Sequence, residues 1–348
     1  MRDISLIDKN FAIQTEIDRD DVKFYDIESE PFKIYGVFRE NDKYRRMPEN
    51  TAKSVNMAIY GLHTHTSGGR VRFRTDSSYI AIHADMGELY QGSHFALTGS
   101  SGFDLYDGNN YVGTYRPPME DKGGYESILT FPDKKMRDIT INFPSYNDVN
   151  KLYIGLSDDS SVEAPKPYRN KKPIVYYGSS ITQGGCSSRP GRIYQNIISR
   201  RFNYDYINLG FSGNAKAEDE MIDYIKNLDM SMFVYDYDHN APTVEHLRNT
   251  HEKMFKAIRE AHPTLPIIMM SRPKFKLTSE EEERLQIIST TFQNALDSGD
   301  ENVYMLTGRE LCSLCGDEGT VDGCHPTDFG FYSMAAALGG LMEDIVIE

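Results

Sequence analysis

The feature that most restricts how this chain can fold is a change of hydrophobic period near residue 165. Before it, apolar residues recur at every second position; after it, short apolar runs alternate with stretches of helical period. The first rhythm asks for sheets with one buried face. The second asks for a sheet covered on both faces by helices. The 348 residues therefore read as two domains, 1–165 and 166–348, each long enough for its own core.

From about residue 22 to 160, Phe32, Ile34 and Gly36 alternate with Lys33 and Tyr35, and Val71 and Phe73 alternate with Arg70, Arg72 and Arg74. Ile80 and Ile82, then Ile139, Ile141 and Phe143, keep the same period. Turn clusters such as Ser67-Gly-Gly69 and Asp107-Gly-Asn-Asn110 separate them. This predicts an all-β, jelly-roll-like sandwich with one face of each strand buried and the other wet, and irregular loops between Tyr44 and Ala58. Ser160 to Pro173, charged and broken by Pro165 and Pro167, reads as the connection.

Beyond it, strands are predicted at Ile174 to Tyr177, Tyr206 to Leu209, Met232 to Tyr235, Ile267 to Met270 and Val303 to Leu306. Helices are predicted at 191–203, 217–228, 243–261 and 279–297, with a last one from Thr327 to Ile345. Thr278, ahead of a run of glutamates, marks a helix start. The alternation implies a three-layer α/β/α domain with a mainly parallel sheet.

In such sheets ligands bind beyond the carboxyl ends of the strands, and the chemistry-bearing residues gather there. Gly178-Ser-Ser-Ile-Thr182 places Ser180 on a tight turn after the first strand, as a candidate nucleophile. A serine needs a base, and the base needs a partner that orients it. Val321-Asp-Gly-Cys-His-Pro-Thr327 offers both, His325 as base and Asp322 as orienter, in the loop entering the last helix. Gly213, after the second strand, and Asn240, after the third, could join the Ser180 N–H as donors to an oxyanion. Arg272, after the fourth strand, is a candidate substrate contact or a partner for a local acid.

These four stretches, in this order over about 172–348, resemble the blocks of the SGNH, or GDSL-type, hydrolases. The resemblance implies Ser180 as nucleophile, an oxyanion hole of Ser180, Gly213 and Asn240, and Asp322 and His325 completing the triad. Two blocks depart from the pattern: Ser179 stands where the first normally has aspartate, and in the third His239 and Ala241 flank Asn240. Ser101-Gly-Phe-Asp-Leu-Tyr106 resembles the GxDLY signature of a β-rich domain preceding one SGNH subgroup. Gly184-Gly-Cys-Ser-Ser-Arg-Pro-Gly191 also looks like that subgroup, and it makes Cys186 a further substrate-contact candidate. The implied activity is a cofactor-independent serine esterase removing acetyl or other short acyl groups, from carbohydrate in the manner of two-domain carbohydrate esterases. Aromatics of the first domain, Tyr106 to Tyr115 among them, are candidates to wall its cleft.

A net charge of −14 argues against nucleic acid or anionic membrane as partner and favours a neutral small-molecule or oligosaccharide ester. The opening Met1-Arg-Asp-Ile-Ser-Leu6 lacks the apolar core of a signal peptide, and no later run is long enough to span a bilayer, so a soluble chain is expected. Four cysteines, at 186, 312, 315 and 324, are too few for a disulfide scaffold, and Cys312-Ser-Leu-Cys315 without a second pair is a poor zinc site. Two other readings stay open: a metal-dependent phosphoesterase using Asp236, Asp238, His239, Asp322 and His325, and an inactive carbohydrate-binding protein.

Overall fold

The computed structural model describes residues 15–345 apart from Asp121; the opening hexapeptide lies outside the described residues. The amino-terminal half stacks two antiparallel sheets. One runs in the order Val22–Asp26, Val149–Ser157, Tyr79–Met86, Gly124–Thr130; the other runs Val162–Glu163, Arg70–Thr75, Arg137–Asn142, Phe103–Asp107, Asn110–Tyr115, with Lys33–Tyr35 paired to Arg70–Thr75. Val71, Phe73, Ile80, Ile82, Ile139, Ile141 and Ile154 fill the space between them, as the alternation requires.

Two points differ from the sequence expectation. The stretch around Tyr44 to Ala58 is not irregular loop throughout, because Glu49–Val55 and Met57–Leu62 are helices. Seven and six residues are too short to announce themselves by period. They are held by docking: Met47, Ala52 and Ile59 bury themselves in the core of the second half, beside Met221 and Ile222. Nor is the polar face of the second sheet wet along its length. Arg70 points from it into the carboxyl-terminal half, where it is 1% exposed, pairs with Asp205 and donates to the Tyr206 carbonyl at 3.3 Å.

The carboxyl-terminal half is α/β. Among the described residues, five parallel strands lie in the order Tyr206–Gly210, Ile174–Gly178, Met232–Asp236, Ile267–Met270, Val303–Leu306. Successive residues of the central strand feed opposite cores. Ile174 and Tyr176 meet the helices Tyr194–Phe202 and Asp328–Met342, while Val175 and Tyr177 meet Asp219–Lys226, Val244–Ala261 and Ser279–Asp297. A strand buried on both faces must be apolar throughout, which explains its continuous run. Thr278 caps the helix Ser279–Asp297 through a reciprocal box with Glu281. No helix among the described residues is long and apolar enough to cross a membrane.

Strand order reverses between Ile174–Gly178 and Met232–Asp236, so a crevice opens beyond their carboxyl ends. The β-sandwich closes one side of it. Asp104, from the Gly102-Phe-Asp-Leu-Tyr106 stretch, is wholly buried and accepts from Arg189 Nη1 at 2.7 Å, Gly191 N at 2.8 Å and Asn142 Nδ2 at 2.8 Å. Gly99 packs so close to this loop that a Cβ would sit 2.0 Å from the Ser187 carbonyl oxygen. Removing one member of a buried pair strands the other charge, at a cost of about 3–5 kcal/mol. Asp104→Ala should therefore lower the thermal midpoint by several degrees, and a midpoint within a degree of the parent would show that this contact does not hold the halves together.

Candidate active site

Ser180 is the first residue of a four-residue helix, Ser180–Gln183, that leaves the central strand directly. Gly178 permits the turn, because a Cβ there would lie 1.7 Å from Asp236 Oδ1. Ser179 Oγ accepts from Ile181 N at 3.1 Å, so the serine that replaces the usual aspartate serves as the helix cap. Beneath the turn, Asp236 is fully buried and accepts from Thr182 Oγ1. Burial pushes its carboxyl up to about 8, partly offset by the Thr182 hydroxyl.

That shift has a measurable sign. A folded carboxyl at about 8, against about 3.9 when unfolded, binds a proton that the unfolded chain lacks, so stability falls as pH rises from about 4 to about 8. Asp236→Asn, neutral at every pH, should flatten that fall in denaturant midpoints taken at pH 5 and pH 8. An unchanged slope would mean that Asp236 is ionised across the range.

Ser180 Oγ lies 2.9 Å from His325 Nε2, and His325 Nδ1 lies 2.7 Å from Asp322 Oδ2. The loop carrying the last two is closed on itself, with Val321 N donating to the His325 carbonyl at 2.9 Å and Gly323 at φ +80°. Asp322 Oδ1 accepts from the N–H groups of Cys324 and His325 at 2.9 and 2.8 Å. Burial alone would raise its carboxyl. These bonds and the ring outweigh that and hold it down at about 2, ionised at neutral pH. A carboxylate on Nδ1 leaves Nε2 as the acceptor for the serine proton.

The candidate oxyanion donors flank the serine. Neither the Ser180 N–H nor the Gly213 N–H has an acceptor among the described residues, and a Cβ on Gly213 would meet open space. Ser212 N, one residue earlier, donates to Gln183 Oε1 at 2.9 Å, tying that loop to the helix Ser180–Gln183. Asn240 Oδ1 accepts from Ala215 N at 3.3 Å, leaving its Nδ2 without a partner among the described residues.

The other candidates fall differently. Cys186, at φ +70° and buried, sits beside His325: its sulfur and ring nitrogens of His94 and His325 all lie within 4.8 Å of one another. Burial pushes its thiol up to about 12. The Arg272 guanidinium donates to Glu281 Oε1 at 2.7 Å, the acid-partner alternative, and its backbone N donates to Asp238 Oδ2 at 3.1 Å. Cys312 and Cys315 are free thiols. Of the five residues named for a metal, Asp236 lies under the Ser180 turn, Asp238 pairs with His239 at 3.0 Å and Asp322 with His325. Among the described residues, only His325 of the five belongs to a group spaced to hold an ion.

The aromatic wall comes from residues that sequence reading missed. Tyr106 is buried against the Arg189 loop and Tyr115 lies in the sandwich core, so the stretch from Tyr106 to Tyr115 does not line the crevice at these two positions. His94 and Phe95 stand over the His325 imidazole instead, with ring centroids 5.6 and 6.5 Å from it. Tyr90 and Tyr146 pack behind Phe95. Tyr146 also donates to the Ser180 carbonyl at 3.2 Å. Nothing in the period or spacing of these residues signals the role, since the surface they meet belongs to the other half of the chain.

A parallel sheet with this crevice, preceded by a β-sandwich that walls it, is the architecture of a two-domain ester hydrolase, and this protein is an ester hydrolase. The chain belongs to the GDSL-like lipase/acylhydrolase family, which matches residues 171–343, while residues 22–162 match the GxDLY domain, the N-terminus of SGNH-hydro-type esterases. No curated protein matches it. Among solved structures it is similar to a protein of Bacteroides ovatus described as a GDSL-like lipase, at 25% identity and TM-score 0.82 over 92% of this chain and 97% of that one. It is also similar to the salicylyl-acyltransferase SsfX3 of a tetracycline biosynthetic pathway, at 15% identity and TM-score 0.77 over 95% and 100%. A third likeness is to an acetyl xylan esterase of the rumen bacterium Butyrivibrio proteoclasticus, at 12% identity and TM-score 0.59 over 93% and 98%.

Proposed function

We propose that the protein hydrolyses acetyl or other short-chain acyl esters of carbohydrate through a Ser180–His325–Asp322 triad and an acyl-enzyme. The observation that carries this reading is the unbroken hydrogen-bonded line from Ser180 Oγ through the His325 ring to Asp322, at 2.9 and 2.7 Å. Ser180 Oγ bonds to the ester carbonyl carbon as its proton passes to His325 Nε2. The carbonyl oxygen, now negative, takes hydrogen bonds from the N–H groups of Ser180 and Gly213 and from Asn240 Nδ2. Collapse breaks the bond to the leaving oxygen, which receives the proton from Nε2. Water then attacks the acyl carbon, gives a proton to Nε2, and releases the carboxylic acid as the serine recovers its own.

A sugar as the alcohol is supported by the aromatic faces of Tyr90, His94 and Phe95 at the crevice, by the acidic net charge, and by the fold shared with the acetyl xylan esterase. The test is a panel of acetylated xylo-, manno- and cello-oligosaccharides and short aryl esters, assayed with the parent and Ser180→Ala. Turnover of acetylated oligosaccharides by the parent alone is expected. Aryl-ester cleavage with no acetate release from any sugar would remove carbohydrate from the reading, and activity kept by Ser180→Ala would remove the mechanism. Asn240→Ala should lower kcat about 10²–10³-fold with little change in KM; a change in KM alone would assign the amide to ground-state binding.

A further inference from the structure

A second cleft, of about 400 Å³, lies between the halves and shares no lining residue with the triad. Its walls are the polar face of the sandwich strand Arg70–Thr75, the Lys166 to Arg169 connection and the carboxyl-terminal part of the helix Tyr194–Phe202. In a chain of net charge −14 this cleft gathers Arg70, Arg72, Lys166, Arg169, Arg200 and Arg201. Three of the six are neutralised: Arg70 by Asp205, Lys166 by Asp138, Arg201 by Glu343.

The other three guanidinium groups, on Arg72, Arg169 and Arg200, have no carboxylate partner among the described residues. Arg72 is nine-tenths buried, its Cζ 4.0 Å from the Tyr168 ring centroid, and its Nη1 is enclosed without a hydrogen-bond acceptor. Arg200 lies 4.0 Å from the Tyr106 ring centroid, donates through Nη2 to the Gly191 carbonyl at 2.7 Å, and likewise leaves Nη1 without an acceptor. Arg169 stands at the exposed rim, 5.8 Å from the Tyr204 ring centroid. A buried donor left unpaired costs about 1–3 kcal/mol, more when it is charged. Arg72 and Arg200 both line the cleft, each with its Cζ 4.0 Å from a tyrosine ring centroid and an enclosed Nη1 lacking an acceptor, and guanidinium groups without a carboxylate are the groups that recognise an oxyanion.

We propose that this interdomain cleft is a binding site for a small organic oxyanion, a phosphate or carboxylate group carried on a sugar-sized polar body, held by Arg72 and Arg200 and closed at the rim by Arg169. The remaining lining holds one carboxylate, Asp138, already paired with Lys166 and Arg74, while Thr140 and Asn109 offer partners for hydroxyl groups. Arg200 also holds the Gly191 carbonyl, so an occupant would brace the same loop that Asp104 anchors. A ligand with differential affinity for the folded state raises its stability by mass action.

The experiment is calorimetric titration of the full chain with glucose 6-phosphate and with glucuronate, at ionic strength held constant with chloride, together with thermal midpoints in each ligand. Saturable one-site binding by either ligand, with a rise in midpoint, is expected. The ligand that binds more tightly says whether phosphate or carboxylate is preferred. Arg72→Gln should weaken binding about 10–100-fold, the value of one or two hydrogen bonds to a charged group. Arg169→Gln, an exposed change that leaves folding and aryl-ester turnover untouched, should weaken it several-fold and keeps the test decisive if Arg72→Gln does not fold. No saturable binding of either ligand at 10 mM (roughly the weak limit of specific recognition), or equal affinity in parent and folded variants, overturns the proposal.

Discussion

Replacing Ser180 by alanine is expected to lower kcat on p-nitrophenyl acetate by at least about 10⁴-fold while the thermal midpoint stays within a few degrees of the parent. The size follows from what a triad supplies: in serine hydrolases, loss of the nucleophile leaves only the 10³–10⁴-fold catalysis over water that oxyanion donors and binding provide. The folding effect is small because Ser180 Oγ makes one hydrogen bond, to His325, while the turn is held by Gly178, the Ser179 cap and Asp236. Fluorophosphonate labelling of the parent and not of Ser180→Ala tests the same point without a substrate. Equal activity in the two proteins would end the serine mechanism.

Asp322→Asn should lower kcat by about 10⁴-fold, the magnitude seen when the orienting carboxylate of a serine triad is replaced by its amide. The physical cause is the tautomer. Asp322 Oδ2 accepts from the His325 ring nitrogen; an amide NH₂ turned to that side would force the ring proton to Nε2, where it faces Ser180 and blocks proton transfer. Oδ1 of the asparagine can still accept from the Cys324 and His325 N–H groups, so the loop should keep its shape. Circular dichroism and the thermal midpoint check that. Activity within about tenfold of the parent would mean that Asp322 serves only as a cap for its own loop.

Residues three apart in Asp322 to His325 can reach one another within a single turn, which is why that pair was legible in the sequence. Their meeting with Ser180, 145 positions away, was legible only through the alternation of strands and helices, which puts every strand-to-helix loop at one edge of the sheet. Ser180 opens the helix at one such strand end, and Gly213 and Asn240 sit in such loops. His94, Phe95 and Tyr146 do not: they come from the sandwich, and no local pattern reports which loops of one domain will lie over the crevice of another. The short helices Glu49–Val55 and Met57–Leu62 escaped for a related reason, since their stability lies in the core they dock onto and not in their own sequence.

What the sequence determined by itself was therefore the class of each half, because period two and period 3.6 can bury their apolar residues in only a few ways, and the reactive residue types at the strand ends, because those ends share an edge. What only the tertiary structure decided was the docking of one half on the other. Docking buried Arg70 and Arg72, two of the three arginines on the polar face of Arg70–Thr75, set Asp104 against Arg189, and brought the aromatic wall over His325. These contacts join residues far apart in the chain through shape and charge that exist only once both cores have formed, so a periodicity of residues within either half carries no trace of them.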